Sequence, residues 1–115
     1  MRPPSTEAVA IAREKIQEMV RRIVERFQPE RIILFGSHAR GAARADSDVD
    51  LLVVMPVSGS RRAQRLKIRT ALSGIGVAKD IVLVTPEEIE QYRDLVGTII
   101  RPALREGKVL YERPS

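Results

Sequence analysis

Two aspartates one residue apart open an apolar run, Asp48-Val49-Asp50-Leu51-Leu52-Val53-Val54. Side chains on a strand alternate between its faces, so Asp48 and Asp50 point the same way, roughly 6.5–7 Å apart along the strand. Two carboxylates at that separation can converge on one hard cation or on a close pair. Leu52 and Val54 carry the same face into apolar surroundings, which puts the acids at the mouth of a buried strand. Desolvating two unpaired like charges costs too much for the pair to be incidental. A third acid, Asp80, heads the next apolar run, Asp80-Ile81-Val82-Leu83-Val84. Neighbouring strands lie about 4.8 Å apart, so Asp80 joins the first two if its strand lies beside theirs. By itself Asp80 also reads as a strand-end acid next to Lys79. Three clustered carboxylates repel unless a cation sits among them. An all-oxygen set that keeps some water suits Mg²⁺ or Mn²⁺ when substrate phosphates supply further ligands.

A second set precedes the acids. Phe35-Gly36-Ser37 ends a short apolar run and leads toward an expected short helix. Glycine lets a ligand approach the backbone closely, the first N–H groups of a helix face an anion, and Ser37 adds a hydroxyl. The result is a phosphate cradle, though a strand ending in Gly-Ser also serves as a plain turn. Arg40 either contacts phosphate or braces this loop. Ser47 caps or orients the segment bearing the acids. His38, Arg44 and Lys79 read as solvated surface residues.

The elements that must position these residues follow from the apolar spacing. Val9, Ala12, Ile16, Met19, Ile23 and Phe27 recur every three or four positions, which is one helical face. Ser5 caps this helix, Glu7 favours its dipole, and Gln28-Pro29 ends it. Residues 32–35 form a buried strand. Residues 36–47 form a turn, a short helix and a loop that includes Asp46. Residues 49–55 form a second strand stopped by Pro56. A basic helix over 61–72 carries Arg61, Arg62, Arg65, Lys67 and Arg69 with no acid, and a strand covers 77–84. Thr85-Pro86-Glu87-Glu88 combines a cap, a proline in the first turn and a capping box, and starts a helix reaching about Leu95. A last helix over 98–106 ends at Gly107, and residues 108–111 form a fourth strand. This order predicts an α+β (mixed α/β) domain, a small mixed sheet with flanking helices. One domain spans residues 1–115, with its core at about 6–112.

Composition narrows the chemistry. The chain has 115 residues, 43% hydrophobic and 30% charged, which fits one soluble globular domain with a real core. With no cysteine and a single histidine, disulfide, thiolate and His-rich metal sites are excluded. No apolar run approaches the roughly 20 residues of a membrane span, and no signal peptide is read, so the expected location is cytoplasmic. The net charge of +5, rich in Arg over Lys, favours anionic partners without selecting one. The basic helix reads first as a solvated face, then as a surface for an acidic protein, RNA or substrate phosphates. Aromatic residues make up only 3%, so base stacking gains no support and nucleic acid is at most a weak or indirect partner.

The stretch from Phe35 to Leu51 resembles the signature of the polymerase-β-like nucleotidyltransferase superfamily. That signature is a hydrophobic residue, Gly, Gly or Ser, a spacer, then Asp-hydrophobic-Asp-hydrophobic. The Gly36-Ser37-His38-Ala39-Arg40-Gly41 and Ser47-Asp48-Val49-Asp50-Leu51 forms are similar to its minimal nucleotidyltransferase branch. The likeness extends to Asp80 as third acid and to the closing Glu-Gly-Lys-Val-Leu-Tyr at 106–111. It implies a polymerase-β-like palm core. It implies that Gly36 and Ser37 hold a nucleoside triphosphate, with Arg40 and Ser47 beside it. Asp48, Asp50 and Asp80 would bind Mg²⁺ and serve catalysis, with Asp80 helping to deprotonate the acceptor hydroxyl. Minimal members resemble antitoxins of HEPN-type toxins, so the resemblance implies transfer of AMP from ATP to a toxin tyrosine. A chain of this length has no room for an acceptor-recognising domain, which is why a protein partner is expected. Two other readings stand beside it: a non-catalytic antitoxin acting by contact, and a nucleotidyltransferase for small molecules of the aminoglycoside kind.

Overall fold

Four strands carry the site: β1 (Arg31–Phe35), β2 (Val49–Val54), β3 (Lys79–Val84) and β4 (Lys108–Glu112). They form one mixed sheet in the order β3-β2-β1-β4. β1 is antiparallel to both β2 and β4, whereas β2 and β3 are parallel. A parallel pair needs a crossover rather than a hairpin, and the basic helix α2 (Arg61–Ala71) supplies it. The remaining helices are α1 (Thr6–Phe27), α3 (Pro86–Tyr92) and α4 (Ile100–Glu106). The structure is a computed structural model that describes residues 6–41, 43 and 47–114. The expected cap Ser5 and the loop residues Arg44 and Asp46 lie outside the described residues.

The period-two alternation of the strands sorts the core into two layers. Ile32, Leu34, Leu51, Val53, Ile81 and Leu83 face α1 and α2, meeting Ile16, Met19, Ile23, Ile68 and Leu72. Ile33, Phe35, Leu52, Val54 and Val84 face the other way, against Ile89 of α3 and Ile100 and Ala103 of α4. β2 is therefore buried on both faces along nearly its whole length. Met19, Ile23 and Ile68 are fully buried, each stabilising the fold by about 1.5–3 kcal/mol through removal from water. Among the described residues, no helix is long and apolar enough to cross a membrane.

Local chemistry sets the boundaries. Gln28 takes a left-handed φ of 48° as α1 ends, just before Pro29. Arg22 of α1 donates to the carbonyls of Ala71 (3.2 Å) and Ser73 (2.9 Å), so a cation closes the C-terminal end of α2. Thr85 and Glu88 form the expected reciprocal capping box at the start of α3. That helix stops at Tyr92, short of the expected Leu95. Leu95 and Val96 are 52% and 75% exposed, so no core face holds a further turn there. α4 begins at Ile100 rather than at 98, with the Arg101 N–H directed at the Thr98 hydroxyl (3.4 Å). After Gly36 the chain makes hydrogen-bonded turns through Gly41 in place of the expected short helix.

Gly107 closes α4 with extended backbone, so its φ suits any residue. Space is what requires glycine: a Cβ would lie 2.6 Å from Ile33 Cγ2 and 2.9 Å from the Leu34 carbonyl. Gly107→Ala is expected to destabilise the fold by about 1–3 kcal/mol, the usual range for overpacking. Thermal unfolding should show a lower Tm, and an unchanged Tm would mean that the α4–β1 contact is not tight.

Arg61 at the start of α2 holds Glu88 at 2.9 Å. The Glu88 carboxyl is held below its ordinary value, first by the Arg61 hydrogen bond. An acid with a lowered folded pKa adds stability above its unfolded pKa and loses it as pH falls through the folded value. Arg61→Ala should therefore destabilise the protein near neutral pH by about 0.2–1 kcal/mol, the range for exposed pairs. Denaturant unfolding measured from neutral to acid pH should show that deficit shrinking as the pH drops.

Candidate active site

The register of the sheet brings the acids together. Asp50 pairs with Asp80 across the parallel β2–β3 ladder, and with Phe35 across the antiparallel β1–β2 ladder. Partners in a ladder point to the same face, so Asp50 and Asp80 stand side by side, about 4.8 Å apart at the backbone. Their face is the α3/α4 face, continued inward by Leu52 and Val54 and by Val82 and Val84. Asp48 lies just before β2, exposed, on the same side by alternation. The expectation that Asp80 belongs with the pair thus agrees with the strand pairing.

Gly36 follows Phe35 and has φ +75°, a conformation that favours glycine. A Cβ at that position would run into Asp50 Oδ2 and lie 3.2 Å from Asp50 Cγ. The Asp50 carboxylate therefore rests directly against the Gly36 backbone. Two independent constraints, dihedral and steric, exclude a side chain there. Beyond Gly36, the Ala39 and Arg40 N–H groups both reach the Gly36 carbonyl (3.1 and 3.2 Å). This is one helical turn, and the Ser37 and His38 N–H groups at its start are not used within it. Gly41, at φ +70°, follows directly.

The half-buried Asp50 carboxyl is pushed up from its ordinary value. Burial is the first cause, then the charges of Asp80 and Asp48; His38 and Arg40 pull the other way. Asp48, Asp50, Asp80, His38 and Arg40 thus share one electrostatic environment at the end of the sheet. Ser37 and Ser47 are half-buried and Arg40 is exposed. The three acids do not form a closed cage. Among the described residues, no three His, Cys, Asp or Glu side chains are gathered tightly enough to grip an ion by themselves. An open set of oxygen donors is what a Mg²⁺ ion uses when phosphates and water complete its shell.

One residue behaves differently from its sequence reading. His38 is half-buried rather than a free surface residue, and its Nε2 lies 3.2 Å from the Ser47 carbonyl. The signal was present in the strand register. Phe35 opposes Asp50, so the segments that follow Phe35 and precede Asp50 leave the sheet at the same end. Lys79 is half-buried, with its Nζ directed at the Val77 carbonyl (3.4 Å). On α2, Arg62, Arg65, Lys67 and Arg69 are exposed, and none has an ion-pair partner among the described residues. Two clefts in the surface of the described residues, of about 350 and 250 Å³, lie elsewhere. Val54, Arg31 and Glu112 line the larger one, at the end of the ladders away from Asp50. Neither contains a member of the acid set.

The chain is similar to known proteins in sequence and in fold. A provisionally named protein adenylyltransferase of Methanocaldococcus jannaschii is 35% identical over 88 residues, covering 73% of this chain and 59% of the relative. The chain thus spans about three-fifths of that relative's length. The toxin–antitoxin pair MntA-HpeT, solved as a mutant, superposes with a TM-score of 0.62 at 17% identity, covering 84% of this chain and 73% of the other. A toxin–antitoxin solved with AMP-PNP gives a TM-score of 0.57 at 20% identity, covering 87% and 73%. These two likenesses concern the fold. The nucleotidyltransferase domain family matches residues 16–110, most of the chain and all of the sheet's acid-bearing strands, and the chain belongs to that family.

Proposed function

We propose that this chain transfers AMP, or another nucleoside monophosphate, from a nucleoside triphosphate to a hydroxyl group on a protein. The leading acceptor is a tyrosine of a HEPN-type toxin, with the chain acting as antitoxin in the cytoplasm. The observation that carries the reading is the convergence at one sheet end of Asp50 and Asp80, with Asp50 seated against Gly36. The name of the archaeal relative supports adenylyl transfer to protein, and the two toxin–antitoxin neighbours support a toxin partner and an adenine nucleotide.

In this reading the residues divide the work by position. Asp48, Asp50 and Asp80 hold Mg²⁺, or Mn²⁺, as oxygen donors. The bound metal supplies Lewis-acid stabilisation of the attacking and leaving oxygens of an in-line displacement. Gly36 lets the triphosphate approach the backbone, and the N–H groups of Ser37 and His38 face its oxygens. Arg40 adds positive charge beside them, and Ser47 orients the segment that carries Asp48. Asp80, exposed at the sheet edge, takes the proton of the acceptor hydroxyl. The hydroxyl oxygen then bonds to the α-phosphorus, the α–β phosphoanhydride bond breaks, and pyrophosphate leaves.

The test is mass spectrometry of the genomic neighbour's protein product after incubation with the chain, ATP and Mg²⁺. The expected result is an added adenylyl group on a tyrosine. Asp50→Asn should lower the rate by at least about 100-fold, since even groups that only support a metal ligand are worth 10–100-fold. Silencing of the partner that persists in Asp48→Asn and Asp50→Asn, with no label transferred, would instead establish neutralisation by contact. Label on an aminoglycoside without any partner would establish a small-molecule acceptor.

A second prediction needs no acceptor. Mg²⁺ should raise the Tm of the wild type, because an ion bound only by the folded state stabilises it. Asp50→Asn should lose that rise. It should also be at least as stable as the wild type without metal at neutral pH. A raised folded pKa means that stability is lost as pH rises through the folded value, and Asn carries no such charge. Equal Mg²⁺ responses in the two proteins would remove Asp50 from the metal site.

A further inference from the structure

The connection from β1 to β2 has a geometric problem to solve. Gly36 and Ser37 leave one strand and Asp48 enters the next, so the phosphate side and the metal side of the site sit at opposite ends of one loop. Asp48 lies outside the ladder that fixes Asp50. On the β3 side, this segment is tied by the Val49 N–H to the Ala78 carbonyl at 2.8 Å. On the β1 side, one tie is the His38 ring, with Nε2 3.2 Å from the Ser47 carbonyl.

A carbonyl oxygen only accepts, so Nε2 carries the proton and donates. The bond is partly buried. The bond joins the residue after Ser37 to the residue before Asp48, and so spans the loop at its two chemically active ends.

We infer that His38 is a positioning residue: its Nε2–H bond to the Ser47 carbonyl holds Asp48 in place relative to the Gly36–Ser37 turn, and thereby sets metal affinity. The inference rests on the reading of Asp48, Asp50 and Asp80 as metal ligands, and gives the His38 side chain no contact with substrate or metal. Groups that orient metal ligands in this way are worth 10–100-fold in metal affinity.

Three variants separate the bond from the bulk of the ring. In His38→Gln the amide nitrogen is as many bonds from Cα as Nε2, so it can reach the same carbonyl. His38→Leu fills the space without a donor, and His38→Asn keeps a donor too short to reach. The measurement is Mn²⁺ binding by electron paramagnetic resonance of the whole chain, with thermal unfolding in metal-free buffer as control. The expected result is Mn²⁺ affinity reduced about 10–100-fold in the Leu and Asn variants and restored to within a few-fold in Gln. Metal-free Tm should be similar across the set, which a purely structural role would not produce. Wild-type affinity in both the Leu and Asn variants would overturn the inference. Equal loss in all three would overturn it too, because the imidazole would then act as a ligand. Tight Mn²⁺ binding that survives Asp50→Asn, or none in the wild type, would instead overturn the metal reading beneath it.

Discussion

The register of β2 is the constraint on which the rest of the structure depends. This strand is buried on both faces and paired on both edges, antiparallel to β1 and parallel to β3. A slip of one residue would turn Asp50 into the layer shared by Met19, Ile23 and Ile68, and would move Leu51 and Val53 to the α3/α4 face. A carboxylate in such surroundings costs several kcal/mol unless it is neutralised or paired. The two apolar layers therefore lock the register, and the register in turn places Asp50 beside Asp80 and against Gly36.

Stability alone does not account for Asp50. The strand could end in any apolar residue and fold more favourably than it does with Asp50, whose carboxyl is raised by burial and by two like charges. Gly36 carries a related cost, since a left-handed glycine loses more chain entropy on folding than a side-chain-bearing residue in an ordinary conformation. The compensation lies away from the site. Arg22 closes the end of α2, the Thr85–Glu88 box opens α3, and Arg61 joins α2 to that box. These contacts lie where the helices meet the sheet, and the clustered carboxylates lie at one end of it.

Much of this was legible in advance. The Asp48–Asp50 alternation, the Gly36–Ser37 spacing and the α1 stripe are local patterns with local physical meanings, and the capping box at Thr85 fell where its chemistry places it. Element boundaries were less legible where packing decides them. Leu95 continued an apolar rhythm but has no face to pack on, so α3 stops early. The helix expected after Gly36 is a helical turn followed by the left-handed Gly41. His38 was misread because a residue in a loop has no periodicity to classify it; its partner, Ser47, is defined only once two strands are aligned.

The sequence by itself determined which residues are chemically capable: two carboxylates on one strand face, a glycine where a phosphate can approach, and a third acid heading another apolar run. Those facts follow from side-chain type and from the two-residue period of a strand. Only the tertiary structure decided who meets whom. That Asp80 pairs with Asp50 depends on α2 carrying the chain across to a parallel neighbour. That Asp50 rests on Gly36, and His38 on Ser47, depends on an antiparallel register set by two hydrophobic layers. Contacts between segments distant in sequence are selected by burial over the whole sheet, a property that no local window of residues contains.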